Sequence, residues 1–148
     1  KSWGADEVIN IYENDEVCFK DKVKDLTGGK GADVIYDPVG GEVFDQSIRC
    51  INWGGRLLII GFAGGTIPTL PVNYPLIKGF SVVGVRAGEF GRRDPLLGRE
   101  NIDIINSLAE DNKIRPHICK IFDFIDSKKA LEFLENRELI GKVVIRIS

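Results

Sequence analysis

Asp33-Val34-Ile35-Tyr36-Asp37-Pro38-Val39-Gly40-Gly41, then Glu42 to Asn52 with Phe44, Ile48 and Ile51 at helical spacing, then Gly54-Gly55-Arg56-Leu57-Leu58-Ile59-Ile60-Gly61-Phe62: this stretch decides the fold. The first run reads as a strand closed by a Pro-Val-Gly-Gly turn. The second places three apolar side chains on one helical face. The third is a continuous apolar run entered through a glycine pair, the pattern of a strand buried on both faces. Strand, short helix and strand in succession predict a βαβ unit and a parallel sheet.

The same alternation continues outward. Upstream, Glu7 to Ile11 reads as a short strand. Glu16 to Thr27 reads as a helix carrying Phe19, Val23 and Leu26, stopped by Gly28-Gly29. Downstream, Ala63 to Lys78 is rich in Gly, Pro and Thr and reads as a long connection, followed by a strand from Phe80 to Arg86. Asp94-Pro95 supplies an N-cap and a first-turn proline for a helix bearing Ile102, Ile105, Leu108 and Ala109. After Asn112-Lys113 the texture changes. A strand (Pro116 to Phe122), a helix (Asp126 to Asn136, with Ala130, Leu131 and Leu134 inward) and a last strand (Lys142 to Ile147) close the chain.

Composition excludes whole classes of function. The chain has 148 residues, 43% hydrophobic and 28% charged, which suits one folded domain. Twenty Lys and Arg against 22 Asp and Glu leave a net charge of −2, so no basic field for nucleic acid is present. No apolar run approaches the roughly 20 residues of a membrane span. The chain begins at Lys1, contains no Met, and opens with no secretory or transit signal, the expectation being a processed, excised or incompletely represented protein. Cys18, Cys50 and Cys119 form no CxxC pair and leave an odd one over. They read as small buried residues in a reducing compartment, the cytoplasm or alternatively the mitochondrial matrix.

These residues carry a resemblance. Lys1-Ser2-Trp3-Gly4-Ala5-Asp6-Glu7-Val8-Ile9-Asn10, Thr27-Gly28-Gly29-Lys30-Gly31-Ala32 running into the Asp33–Gly41 block, Trp53 to Gly65, and Gly141-Lys142-Val143-Val144 together resemble the medium-chain dehydrogenase/reductase superfamily. Within it the chain is most similar to the zinc-independent, quinone oxidoreductase-like branch. One departure is Ile11-Tyr12-Glu13-Asn14-Asp15, which is longer than the family's usual turn. The resemblance implies an α/β fold: part of a doubly wound, Rossmann-type parallel sheet lacking its first two strands, including the glycine-rich phosphate turn. It further implies that residues 1–113 are a partial dinucleotide-binding domain and that 114–148 return to the substrate domain. On this expectation the chain is the C-terminal portion of an enzyme and is inactive alone.

The implied function is NADPH-dependent reduction of quinones or activated alkenes by hydride transfer. The alternative is a catalytically silent fragment or interaction protein that keeps the sheet without the cofactor. NADP is a family expectation, because the loop that selects NAD or NADP lies upstream. The resemblance places Tyr12 near the adenosine, Gly40 and Gly41 at the turn facing the dinucleotide, Gly61, Phe62, Ala63 and Gly64 along the nicotinamide ribose, and Val85, Arg86 and Ala87 near the carboxamide. For the glycines the competing reading is a plain left-handed turn; for Tyr12 and Arg86 it is packing or solvation. The strand at 80–86 is expected to pair with its mate in a homodimer.

No catalytic residue emerges. His117 and Cys119 alternate along one strand without further ligands, so no zinc is expected. His117 is the single histidine, which leaves no Ser-His-Asp or Cys-His arrangement. Asp37, followed by Pro38, reads as turn chemistry.

Overall fold

A computed structural model describes residues 1–13, 16–136 and 139–147, the side chains of Tyr12 and Glu13 excepted. It forms two compact units, Lys1–Gly88 and Glu89–Ser148.

The first unit opens with β1 (Tyr12–Glu13) and β2 (Glu16–Val17), a minimal antiparallel pair with Tyr12 opposite Val17. The strand expected over Glu7 to Ile11 is absent: these residues belong to no sheet. A strand is defined by paired N–H and C=O groups, and among the described residues no ladder includes this segment, although the Ile11 carbonyl accepts the Cys18 N–H at 2.7 Å. Because Glu16 and Val17 are extended, α1 (Lys20–Leu26) starts later than its periodicity suggests, after Phe19, which is buried.

β3 (Ala32–Asp37), α2 (Gly41–Cys50), β4 (Ile51–Ile59), α3 (Asn73–Lys78) and β5 (Ser81–Gly84) complete the unit. The three strands form a parallel sheet in the order β3-β4-β5. Phe44 and Ile48 of α2 pack with Ile51, Leu57 and Phe80 into the core, where Leu57 has no exposed surface at all. Phe44 and Ile48 of the expected helical face thus pack on the sheet, whereas Ile51, expected on the same helix, opens β4 because α2 ends at Cys50.

Two expectations need correction. The apolar run in β4 suggested burial on both faces, yet in the next row of the sheet Tyr36 is 66% and Val83 39% exposed. Among the described residues, helices of this unit bury one face. The connection 63–78 also holds a helix at its end. Pro75 sits in the first turn of α3, where a missing N–H costs nothing, and Gly79 closes it in the left-handed conformation (φ 60°, ψ 40°). Tyr74 packs on the core, and the Lys78 ammonium donates to the Ile48 carbonyl at 2.7 Å, capping α2.

α4 (Ala87–Arg93), which the sequence pattern did not reveal, begins in the last two residues of the first unit, and α5 (Pro95–Glu110) belongs to the second. Asp94 caps α5 as expected, its carboxylate accepting from the Leu97 N–H at 3.0 Å with Pro95 in the first turn. β6 (Ile118–Asp123) pairs in parallel with β7 (Lys142–Arg146), joined through a 3₁₀ turn (Phe124–Asp126) and α6 (Ser127–Glu135). Ala130 is buried, but Leu131 and Leu134 are exposed, against expectation. Phe133 turns inward to Phe122 instead (ring centroids 6.0 Å apart), and two strands give α6 too narrow a surface to cover more.

Candidate functional site

Parallel register brings three strand ends together. Asp37, Ile59 and Gly84 share one row of the sheet, so β3, β4 and β5 finish side by side. Ligands of open α/β sheets bind beyond such carboxyl ends. Two hydrogen bonds continue the ladder past the strands: Ile60 N–H donates to the Asp37 carbonyl and Val85 N–H to the Ile59 carbonyl, both at 3.0 Å.

Asp37 is 2% exposed, and one carboxylate oxygen accepts the N–H groups of Val39 and Gly40, each at 2.9 Å. The turn chemistry read at Asp37 is what the structure shows. Gly40 follows at φ 74°, ψ −158°, a conformation essentially reserved for glycine. A Cβ there would stand 3.0 Å from the Phe62 ring and 3.0 Å from the Thr66 carbonyl oxygen.

The loop after β4 lies against this turn. Ala63 N–H donates to the Pro38 carbonyl at 3.0 Å and Gly64 N–H to the Val39 carbonyl at 2.9 Å. A Cβ on Gly64 would come within 3.0 Å of that same Val39 oxygen, so the glycine lets the two loops close. Phe62, Ala63 and Gly64 remain exposed on the outer side, Gly61 half so. Val85, Arg86 and Ala87 follow β5 and are exposed; Arg86 is the one charged side chain in the three segments 38–41, 60–66 and 85–87. Sequence reasoning missed Thr66, whose carbonyl closes over Gly40. Nothing in its neighbourhood signals such a long-range contact.

The structure thus brings together nine of the ten expected positions by way of three strand ends. Tyr12 belongs to none of these strand ends: its backbone pairs with Val17 in the separate two-stranded sheet β1-β2, and its side chain lies outside the described residues. A groove of about 360 Å³ between residues 8–10 and α1 contains none of the ten. Among the described residues no three of His, Cys, Asp or Glu converge to hold a metal. Cys50 is buried in α2, with its thiol pushed up by burial. Desolvation lowers the pKa of the Lys78 ammonium, whose donation to the Ile48 carbonyl ties it to α2.

Phe62, Ala63 and Gly64 form an exposed, uncharged rim after β4, and the exposed Arg86 follows β5. Thr66 lies over the N-terminus of α2, and the sequence contains no G-x-G-x-x-G phosphate turn.

Comparison with known proteins gives the family. Residues 1–99 match the family described as zinc-binding dehydrogenase. The chain is 42% identical over 128 residues to a quinone oxidoreductase-like protein 2 homolog of Nematostella vectensis, covering 86% of this chain and 35% of that protein. It is 30% identical over 144 residues to quinone oxidoreductase-like protein 2 of Bos taurus, covering 97% of this chain and 40% of the relative. A mycobacterial protein solved in complex with NADPH superimposes with a TM-score of 0.80 at 26% identity, over 97% of this chain and 44% of that one. The chain therefore spans well under half the length of the relatives it matches.

Proposed function

This chain belongs to the zinc-binding dehydrogenase family of the medium-chain dehydrogenase/reductase superfamily, and from that membership we propose that it forms the nicotinamide-facing part of an NADPH-dependent reductase of quinones or activated alkenes. The observation that carries the reading is the row Asp37–Ile59–Gly84, beyond which Gly40-Gly41, Gly61–Gly64 and Val85–Ala87 emerge side by side. The names of the relatives and the NADPH complex of the mycobacterial neighbour support it.

When bound, the dinucleotide supplies the hydride. Phe62 and Ala63 would wall its nicotinamide ribose and shed water from it, while the Val85–Ala87 backbone would meet the carboxamide. In this reading residues 1–113 belong to the dinucleotide half, 114–148 return to the substrate half, and no catalytic zinc takes part. The test uses the natural protein carrying this sequence. Saturable quenching of NADPH fluorescence, with NADPH oxidation on adding a quinone or an enone, is the expected result. Binding of neither NADPH nor NADH would favour the silent, sheet-only alternative.

A further inference from the structure

We propose that Asp37 is the positioning residue of this site: its carboxylate holds two successive peptide planes whose far ends fix the loop at Gly61–Gly64. The proposal rests on the dinucleotide reading for its functional part and on geometry alone for its structural part.

In a trans peptide the N–H and C=O groups point in opposite directions. The Val39 N–H and the Pro38 C=O belong to one such plane. The N–H is held by the Asp37 carboxylate at 2.9 Å, and the carbonyl consequently points away, where it accepts the Ala63 N–H at 3.0 Å. The next plane repeats the arrangement. Gly40 N–H is held by the same oxygen at 2.9 Å, and the Val39 carbonyl accepts the Gly64 N–H at 2.9 Å.

Asp37 also accepts the Ile60 N–H with its own carbonyl at 3.0 Å. Three consecutive carbonyls, 37 to 39, therefore template residues 60 to 64. Pro38 stiffens the template by fixing its own φ. Asp37 is the buried charged side chain of the core among the described residues, and a charge is retained at such depth only when it is hydrogen-bonded. It touches no dinucleotide group itself. Its effect passes through Ala63 and Gly64.

Amide hydrogen exchange on the natural protein carrying this sequence, with Val85 N–H as the internal control, tests the template. D37A is expected to speed exchange at Ala63 and Gly64 by about tenfold or more, the scale of losing two charge-assisted hydrogen bonds, with Val85 unchanged. D37N keeps an acceptor oxygen on the same stem and is expected to stay within about threefold of the parent. If D37A does not fold, D37E, which keeps the charge but pushes the acceptor out by one methylene, carries the same expectation. Unchanged exchange at Ala63 and Gly64, or an equal rise at Val85, would overturn the proposal. A second arm measures NADPH affinity of the natural protein carrying D37A, expected to fall about tenfold with recovery in D37N. Faster exchange with unchanged affinity would overturn the positioning role. Failure of the unsubstituted protein to bind NADPH would sink the dinucleotide reading alone and leave the template to the exchange result.

Discussion

Gly40 and Gly65 both sit at positive φ, at 74° and 86°, but they stand in different surroundings. A Cβ on Gly65 meets nothing within 4 Å, whereas one on Gly40 meets the Phe62 ring and the Thr66 carbonyl at 3.0 Å. Gly65→Ala is therefore expected to lose only the left-handed penalty, about 1 kcal/mol. Gly40→Ala adds a clash with backbone and should lose about 3 kcal/mol in urea unfolding; equal losses would show that Thr66 yields freely. Gly64 poses the functional version of the question. Gly64→Val in the natural protein should weaken NADPH binding while unfolding stays cooperative, because the Val39 oxygen lies 3.0 Å from the new Cβ and the loop must shift. Unchanged affinity by fluorescence titration would assign this glycine to the turn alone. Cys50 gives a pH dependence. Burial raises its thiol, so above the range where an unfolded thiol ionises the folded chain binds more protons than the unfolded one. The contribution is whole at neutral pH and fades as pH rises through the raised value. Stability should fall in alkaline buffer, and Cys50→Ala should flatten that slope in denaturation series.

At the scale of elements, β5 is the instructive case. It is an edge of the sheet order β3-β4-β5, with all four residues exposed. Groups aimed at one neighbour alternate along a strand. Val85 N–H goes to Ile59 on β4, so Val83 and Ser81 aim the same way, while Val82 and Gly84 aim outward. If this edge forms the expected homodimer, Val82→Pro should break the association and spare the β4–β5 ladder. Sedimentation showing an unchanged oligomer in Val82→Pro would remove the edge from consideration. Legibility differed between elements for a physical reason. α2 and β4 were legible because their apolar positions face a core built within the unit itself. The strand expected at Glu7 to Ile11 was not formed, since composition cannot supply a neighbour. α3 was hidden by its proline and short length, and α4 by glycines at both ends of its apolar turn.

For the whole molecule, the open question is how much of a dinucleotide crevice 148 residues can build. In the doubly wound order 3-2-1-4-5-6, two strands would stand between Glu7–Ile11 and β3. Among the described residues the outer edge of β3 pairs with no strand, and one face of the sheet leaves Val34 at 47% and Tyr36 at 66% exposed. The 148-residue chain alone is therefore expected to bind NADPH weakly or not at all and to reduce no quinone. Micromolar binding by titration, together with quinone turnover, would show that the nicotinamide loops suffice. Sequence by itself determined the alternation of strands and helices, the parallel sheet, the Asp94 cap and the turn at Asp37, because each is decided by side chains within a few residues of one another. The family, too, was legible from in-order blocks. Only the tertiary structure decided that Asp37, Ile59 and Gly84 end in one row, that Thr66 closes over Gly40, that Tyr12 joins a separate antiparallel pair and that Leu131 and Leu134 face outward. Those outcomes depend on register and on which surface packs against which, and no local pattern encodes a contact between loops that meet only after the strands have paired.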